Sequence, residues 1–254
     1  MNMNKRSMRT GMLIALLLVA LASVASAGPV NCGMTPSASS CAPTLTFSFA
    51  QAGHGPTTFT PGGPASFSNG SWLVSFTPQK FPTALFTAGQ VTSAPDPFVG
   101  FSMGVINSSN VTETFTYDFT TLFGGGPYLT ARTVFADVLV DTKFAGTSTV
   151  APVGGGGFIM NSYVDGVLIS GLGRGTGCTT VGFICQSGAI GVLQIPYVSP
   201  ASGTLEVKGA FTLSPGSQYT LTGRTDLAIP EPGSMLLLGT GIVGLAGVLR
   251  RRHK

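Results

Sequence analysis

From residue 44 to residue 227 the chain alternates apolar and polar side chains again and again, and a period of two marks strands with one buried face. In 44–49, Leu45, Phe47 and Phe49 point one way while Thr44, Thr46 and Ser48 point the other. Trp72, Val74 and Phe76 share a face in 71–77. In 111–120, Val111, Phe115, Tyr117 and Phe119 oppose Thr112, Thr114, Thr116, Asp118 and Thr120. In 204–213, Leu205, Val207, Phe211 and Leu213 oppose Thr204, Glu206, Lys208 and Thr212. In 218–227, Tyr219, Leu221 and Leu227 oppose Gln218, Thr220, Thr222, Arg224 and Asp226. Further strands are expected at 98–106, 129–141, 158–164, 167–171 and 189–195, with Asp165-Gly166 as a tight hairpin turn. Turn-rich breaks fall at 53–64, 124–127, 152–157 and 172–178. One apolar and one polar face per strand predict an all-β body, a single β-sandwich of roughly ten strands, for which a jelly-roll-like order is one arrangement. No fixed-period repeat and no internal domain boundary interrupts it.

The two ends break this pattern. Lys5, Arg6 and Arg9 precede an apolar run at 12–22, and Ala25-Ser26-Ala27 offers the small residues of a cleavage site. This is the layout of a Sec signal peptide, 1–27, with Ala25 and Ala27 flanking the cut and Gly28 opening the mature chain. At the other end, 235–249 carries no charge. As a helix it covers about 22 Å, short of the roughly 30 Å of a hydrocarbon core. Arg250, Arg251, Arg252 and Lys254 follow; their stems snorkel, and their charge keeps this end cytoplasmic. A signal helix and a single C-terminal membrane helix are therefore expected on either side of the body, 28–228. Pro230 and Pro232 hold the residues just before that helix extended, an accessible strip for a processing enzyme.

Pro230-Glu231-Pro232, then the apolar span, then the arginine cluster of 250–252 make 229–254 resemble the PEP-CTERM sorting signal of Gram-negative bacteria. The resemblance implies recognition by an exosortase, a membrane transpeptidase that cuts near the motif. It also implies export across the inner membrane, a transient anchor, and a final place at the cell surface or outside, often beside extracellular polysaccharide. The same tail class is also catalogued as an ice-binding protein C-terminal domain.

Composition narrows the function of the body. Although the whole chain carries a net charge of +4, most of its basic residues sit in the two ends. Residues 28–228 hold six basic and eight acidic residues, a net of −2, so no basic patch attracts nucleic acid. The surface is uncharged but rich in hydroxyls, suited to glycans, other copies of the chain or a matrix. Cys32, Cys41, Cys178 and Cys185 remain after export into an oxidising compartment, so disulfides are expected. Three connectivities are open; Cys32–Cys41 and Cys178–Cys185, each closing a small loop, are the expected pairs. Their spacings and the lack of a nearby His do not suit zinc.

Catalytic patterns are weak. Gly100-Phe101-Ser102-Met103-Gly104 has the form of a nucleophile elbow, but strand and turn follow where a helix is required. His54 is the only histidine in the body. Asp137 and Asp141 stand about 13 Å apart along a strand, too far to share a metal or to act as a glycosidase pair. Thr-x-Thr pairs (44/46, 58/60, 114/116, 147/149, 220/222) recur at irregular intervals, unlike a regular ice-binding solenoid. The expectation is a non-enzymatic surface protein with no cofactor or metal, sorted by an exosortase and associated with extracellular polysaccharide or biofilm matrix. Its rivals are a carbohydrate-binding module marked by an aromatic cluster near Trp72, an ice-binding protein, and a hydrolase marked by acids that converge in the fold.

Overall fold

The computed structural model describes residues 42–228, except 52–54, 95–96, 125–127, 142–146, 154–156, 174–175, 179–183 and 199–201. The signal segment, the sorting tail, Cys32, Cys41, His54 and Asp96 lie outside the described residues. So do the side chains of Asp141, Cys178 and Cys185. Every element described is a strand: β1 (Thr44–Gln51), β2 (Thr57–Phe59), β3 (Ala65–Ser68), β4 (Ser71–Phe76), β5 (Gln79–Lys80), β6 (Ala84–Phe86), β7 (Gly89–Ala94), β8 (Phe98–Asn107) and β9 (Glu113–Gly124) come first. They are followed by β10 (Thr130–Asp141), β11 (Ser148–Pro152), β12 (Met160–Val164), β13 (Val167–Leu172), β14 (Thr176–Cys178), β15 (Ile184–Pro196), β16 (Ser202–Leu213) and β17 (Ser217–Ala228).

The strands pair antiparallel in two sheets. The first runs β13-β12-β16-β9-β1-β2, with β11 also paired to β16 and β14 to β11. The second runs β15-β10-β17-β8-β7-β4-β3, with β6 also paired to β8 and β5 to β6. The alternation read from the sequence sets which face turns inward. Leu45, Phe47, Phe49, Phe115, Tyr117, Phe119, Leu205, Val207 and Phe211 of the first sheet are buried, as are Val99, Phe101, Met103, Tyr219 and Leu221 of the second.

These two faces meet, as in a β-sandwich. Phe47 lies 5.3 Å from Phe76 and 5.5 Å from Phe86 between ring centroids, and Phe101 lies 5.1 Å from Tyr117. Phe211 packs edge-on against Tyr219 at 4.9 Å. Such aromatic pairs contribute about 0.5–1.5 kcal/mol each beyond the area they bury. Polar groups in the core are matched across the same seam: Ser162 with Thr225 and Thr133 with Ser170, both at 2.6 Å. The Tyr219 hydroxyl donates to Asp137.

Two hairpins close on residues in the left-handed region. Asp165 (φ 48°) and Gly166 (φ 76°) join β12 to β13, where the sequence places a tight turn. Asn69 (φ 51°) and Gly70 (φ 75°) join β3 to β4 in the same way. Two consecutive positive φ values match the twist of the flanking strands, and Asn-Gly or Asp-Gly adopts them at least cost.

Several expectations need correction. Val111 is exposed rather than inward, because β9 begins only at Glu113. The segments expected as turns contain β2, the whole of β14 and the end of β11. Three-residue strands are too short to show an alternation and form because a longer neighbour, β1 or β11, offers its edge.

Candidate functional site

The outward face of the first sheet carries a groove of ≈ 440 Å³. Its cause is a change of partner along one edge of β16. Residues Leu205 to Lys208 of that strand pair with β12, while Phe211 to Leu213 pair with β11. Between the two partners, Gly209 and Ala210 form part of the floor. At Gly209 a Cβ atom would fall 1.8 Å from the Ile159 carbonyl oxygen and 2.7 Å from the Tyr117 ring. Glycine is therefore what lets Tyr117 lean across β16 and donate its hydroxyl proton to Ile159 O at 3.1 Å.

Register then arranges the polar face in rows. Asn161 of β12 pairs with Lys208 of β16, Lys208 with Asp118 of β9, and Asp118 with Thr46 of β1. The next row is Tyr163, Glu206, Thr120 and Thr44. On the other side lie Ala210, Thr116, Ser48 and Thr58, with the Ser48 and Thr116 hydroxyls bonded together. Phe158, Leu168 and Val153 supply apolar walls.

The charges in this groove are coupled. Lys208 Nζ sits 2.7 Å from Glu206 Oε2 and 4.3 Å from the Tyr163 ring centroid. Burial opposes its charge, but the Glu206 hydrogen bond and charge, with Asp118, hold the ammonium above the usual lysine range. Asp118 accepts from the Thr120 hydroxyl at 3.1 Å. Its carboxyl is pushed up to about 6, first by burial and then by Glu206, with which it interacts directly; Thr120 and Lys208 oppose the rise. The site thus combines the Tyr163 and Phe158 rings, neutral hydroxyl and amide groups, the Asp118 carboxyl and the Lys208 ammonium with its partner Glu206.

Other residues singled out in the sequence fall elsewhere. Trp72 is buried on β4, 5.1 Å from Phe67, so it forms no surface platform. Ser102 lies inside β8, paired with Gln90 and Thr222, and the strand runs on to Asn107; the backbone makes no elbow there. Asp137 faces the core and accepts from Tyr219. Asp165 accepts from the backbone N–H and hydroxyl of Thr204 at 2.8 and 3.2 Å. The threonine pairs divide between sheets: Thr44, Thr46, Thr114 and Thr116 lie on the first, Thr220 and Thr222 on the second. Among the described residues no three His, Cys, Asp or Glu side chains gather as metal ligands. Tyr163 and the juxtaposition of Asp118, Glu206 and Lys208 were not anticipated. Alternation places Asp118, Glu206 and Lys208 on polar faces and assigned Tyr163 none; only register makes the four neighbours.

Residues 228–252 match the model of the PEP-CTERM protein-sorting motif. The chain carries a PEP-CTERM signal. That motif marks an exosortase substrate, exported to the surface or exterior of a Gram-negative bacterium. Comparison with curated proteins finds no significant match. Among solved structures, a β-glucosidase from Kluyveromyces marxianus in complex with glucose aligns at 9% identity and TM-score 0.24, over 74% of this chain but 16% of its own. TmCBM61 in complex with β-1,4-galactotriose aligns at 7% identity and TM-score 0.23, over 50% of this chain and 70% of its own. A GH31 α-xylosidase from Xanthomonas citri aligns at 6% identity and TM-score 0.18, over 73% of this chain and 28% of its own. The PEP-CTERM chain spans about a sixth of the glucosidase's length, and likenesses this distant carry no weight for its fold or function.

Proposed function

We propose that the exported body is a non-enzymatic protein of the polysaccharide-rich matrix or cell envelope, and that the groove on the first sheet is its glycan-binding surface. The observation that carries this reading is the row Asn161–Lys208–Asp118–Thr46 beside the Tyr163 ring. A pyranose presents hydroxyls around its rim and C–H groups on its faces, so it is held by in-plane polar groups with an aromatic wall. The groove supplies both on strands rather than loops, and its volume lies within the usual range for small-molecule sites. A hydrolase reading fits less well. Glycosidases hold their two carboxyls about 5–5.5 Å or 6.5–9.5 Å apart, with sugar or water between. Here Asp118 and Glu206 interact with each other directly.

A glycan array, followed by affinity electrophoresis of the mature protein in gels containing the organism's own exopolysaccharide, tests the proposal. Tyr163→Ala should weaken binding by roughly two- to tenfold, from the loss of one stacking face that contributes about 0.5–1.5 kcal/mol. The urea midpoint should hardly move, since Tyr163 is only half-buried. Wild-type protein that binds no glycan on the array and migrates unretarded would refute the assignment.

A further inference from the structure

We infer that Asp118 makes the groove selective for a cationic sugar, an amine-bearing pyranose whose ammonium seats against the Asp118 carboxylate. This rests on the glycan-binding reading above and specifies the ligand's chemistry. Lys208 already has its counter-ion, Glu206, at 2.7 Å. Asp118 lies directly opposite Lys208 in the β9–β16 register, but its hydrogen bond comes from the neutral Thr120 hydroxyl. Two carboxyls thus share one ammonium in a half-buried groove. The groups that face Asp118 are Thr120 on its own strand, Glu206 and Lys208 on β16, and Thr46 on β1, so β1 brings no charge.

Each class of sugar meets this arrangement differently. A uronate brings a third negative charge beside the pair and is repelled. A neutral sugar displaces water from Asp118 and gives its charge no counter-ion, which costs free energy. A sugar ammonium supplies the missing positive charge. The same wall already handles an ammonium in this manner, since Lys208 rests on a carboxylate with a ring face beneath it. The upward push on Asp118 is in keeping with this: burial and then Glu206 raise it, and the pull of Lys208 does not offset them.

The test is calorimetric titration of the mature exported protein with a glucosamine hexasaccharide and with its fully N-acetylated counterpart. The pH is held about one unit above the Asp118 value of about 6, where that carboxyl is mostly ionised and part of the sugar amine remains protonated. Wild-type protein should bind the amine form about tenfold more tightly, the scale of one partly desolvated charge pair. Asp118→Asn and Asp118→Ser should erase that preference, read within each variant as the ratio of its affinities for the two sugars. Equal affinity for the two sugars, with binding still dependent on Tyr163, would overturn the inference and leave the groove assignment standing. A preference that survives in both Asp118 variants would overturn it as well. No binding of either sugar, or of any neutral glycan, would instead remove the groove assignment on which it rests.

Discussion

Glu113 shows what a single buried group does to this protein. It opens β9 and is fully buried. Burial pushes its carboxyl above the ordinary value of 4.5, while the Thr83 and Ser109 side chains beside it pull the other way. The folded state therefore binds this proton more tightly than the unfolded chain does. Stability from this residue is greatest below 4.5 and falls as pH climbs through the higher folded value, because ionisation then occurs in a place that resists charge. Glu113→Gln should raise the urea midpoint at about pH 8 and leave it nearly unchanged at about pH 4. An equal gain at both values would show that the charge is not the cause. The burial is hard to read in the sequence: alternation sets Glu113 in step with Val111 and Phe115, but an acid between two threonines carries no sign of an inward place, and Val111 was the residue expected inside. β9 begins only at Glu113, so the acid is its first inward residue, opposite Leu213.

At the scale of elements, alternation located all five of the strands with an assigned inward face. It fixed which side of β1, β4, β16 and β17 is buried. Asp165-Gly166 was legible as a turn because its chemistry is local. Short strands such as β2 and β14 were not, since they exist through their partners' edges. The groove is the sharpest case. It depends on β16 switching partners at Gly209, and a glycine within an alternating run signals nothing about what will lie across from it. Gly209→Ala should cost about 1–3 kcal/mol as a lowered urea midpoint, because backbone and a packed ring both occupy the new methyl's place. It should also weaken glycan binding by shifting β12 and Tyr163. An unchanged midpoint would mean that β12 moves aside freely and that the close approach of Ile159 and Tyr117 is not a constraint.

For the whole molecule, the C-terminal sorting motif was legible because such a segment is read as a linear signal by another protein and needs no fold. The match over residues 228–252 agrees with that reading. Mass spectrometry of material released by the cells should find the C-terminus close to Pro230, and an exported form retaining Lys254 would contradict exosortase processing. What sequence could not supply is the order of strands in each sheet, since antiparallel partners here lie far apart in the chain. β9 takes β1 on one side and β16 on the other.

The position of β17 ties completion of the second sheet to the far end of the body. It is the last strand of the body, yet it lies between β10 and β8, and Ala228, one residue before the Ile229-Pro230 junction, still pairs with Thr130. The second sheet is missing an inner member until nearly the entire polypeptide has been delivered. A polypeptide delivered in order from its first residue therefore cannot close that sheet until β17 follows.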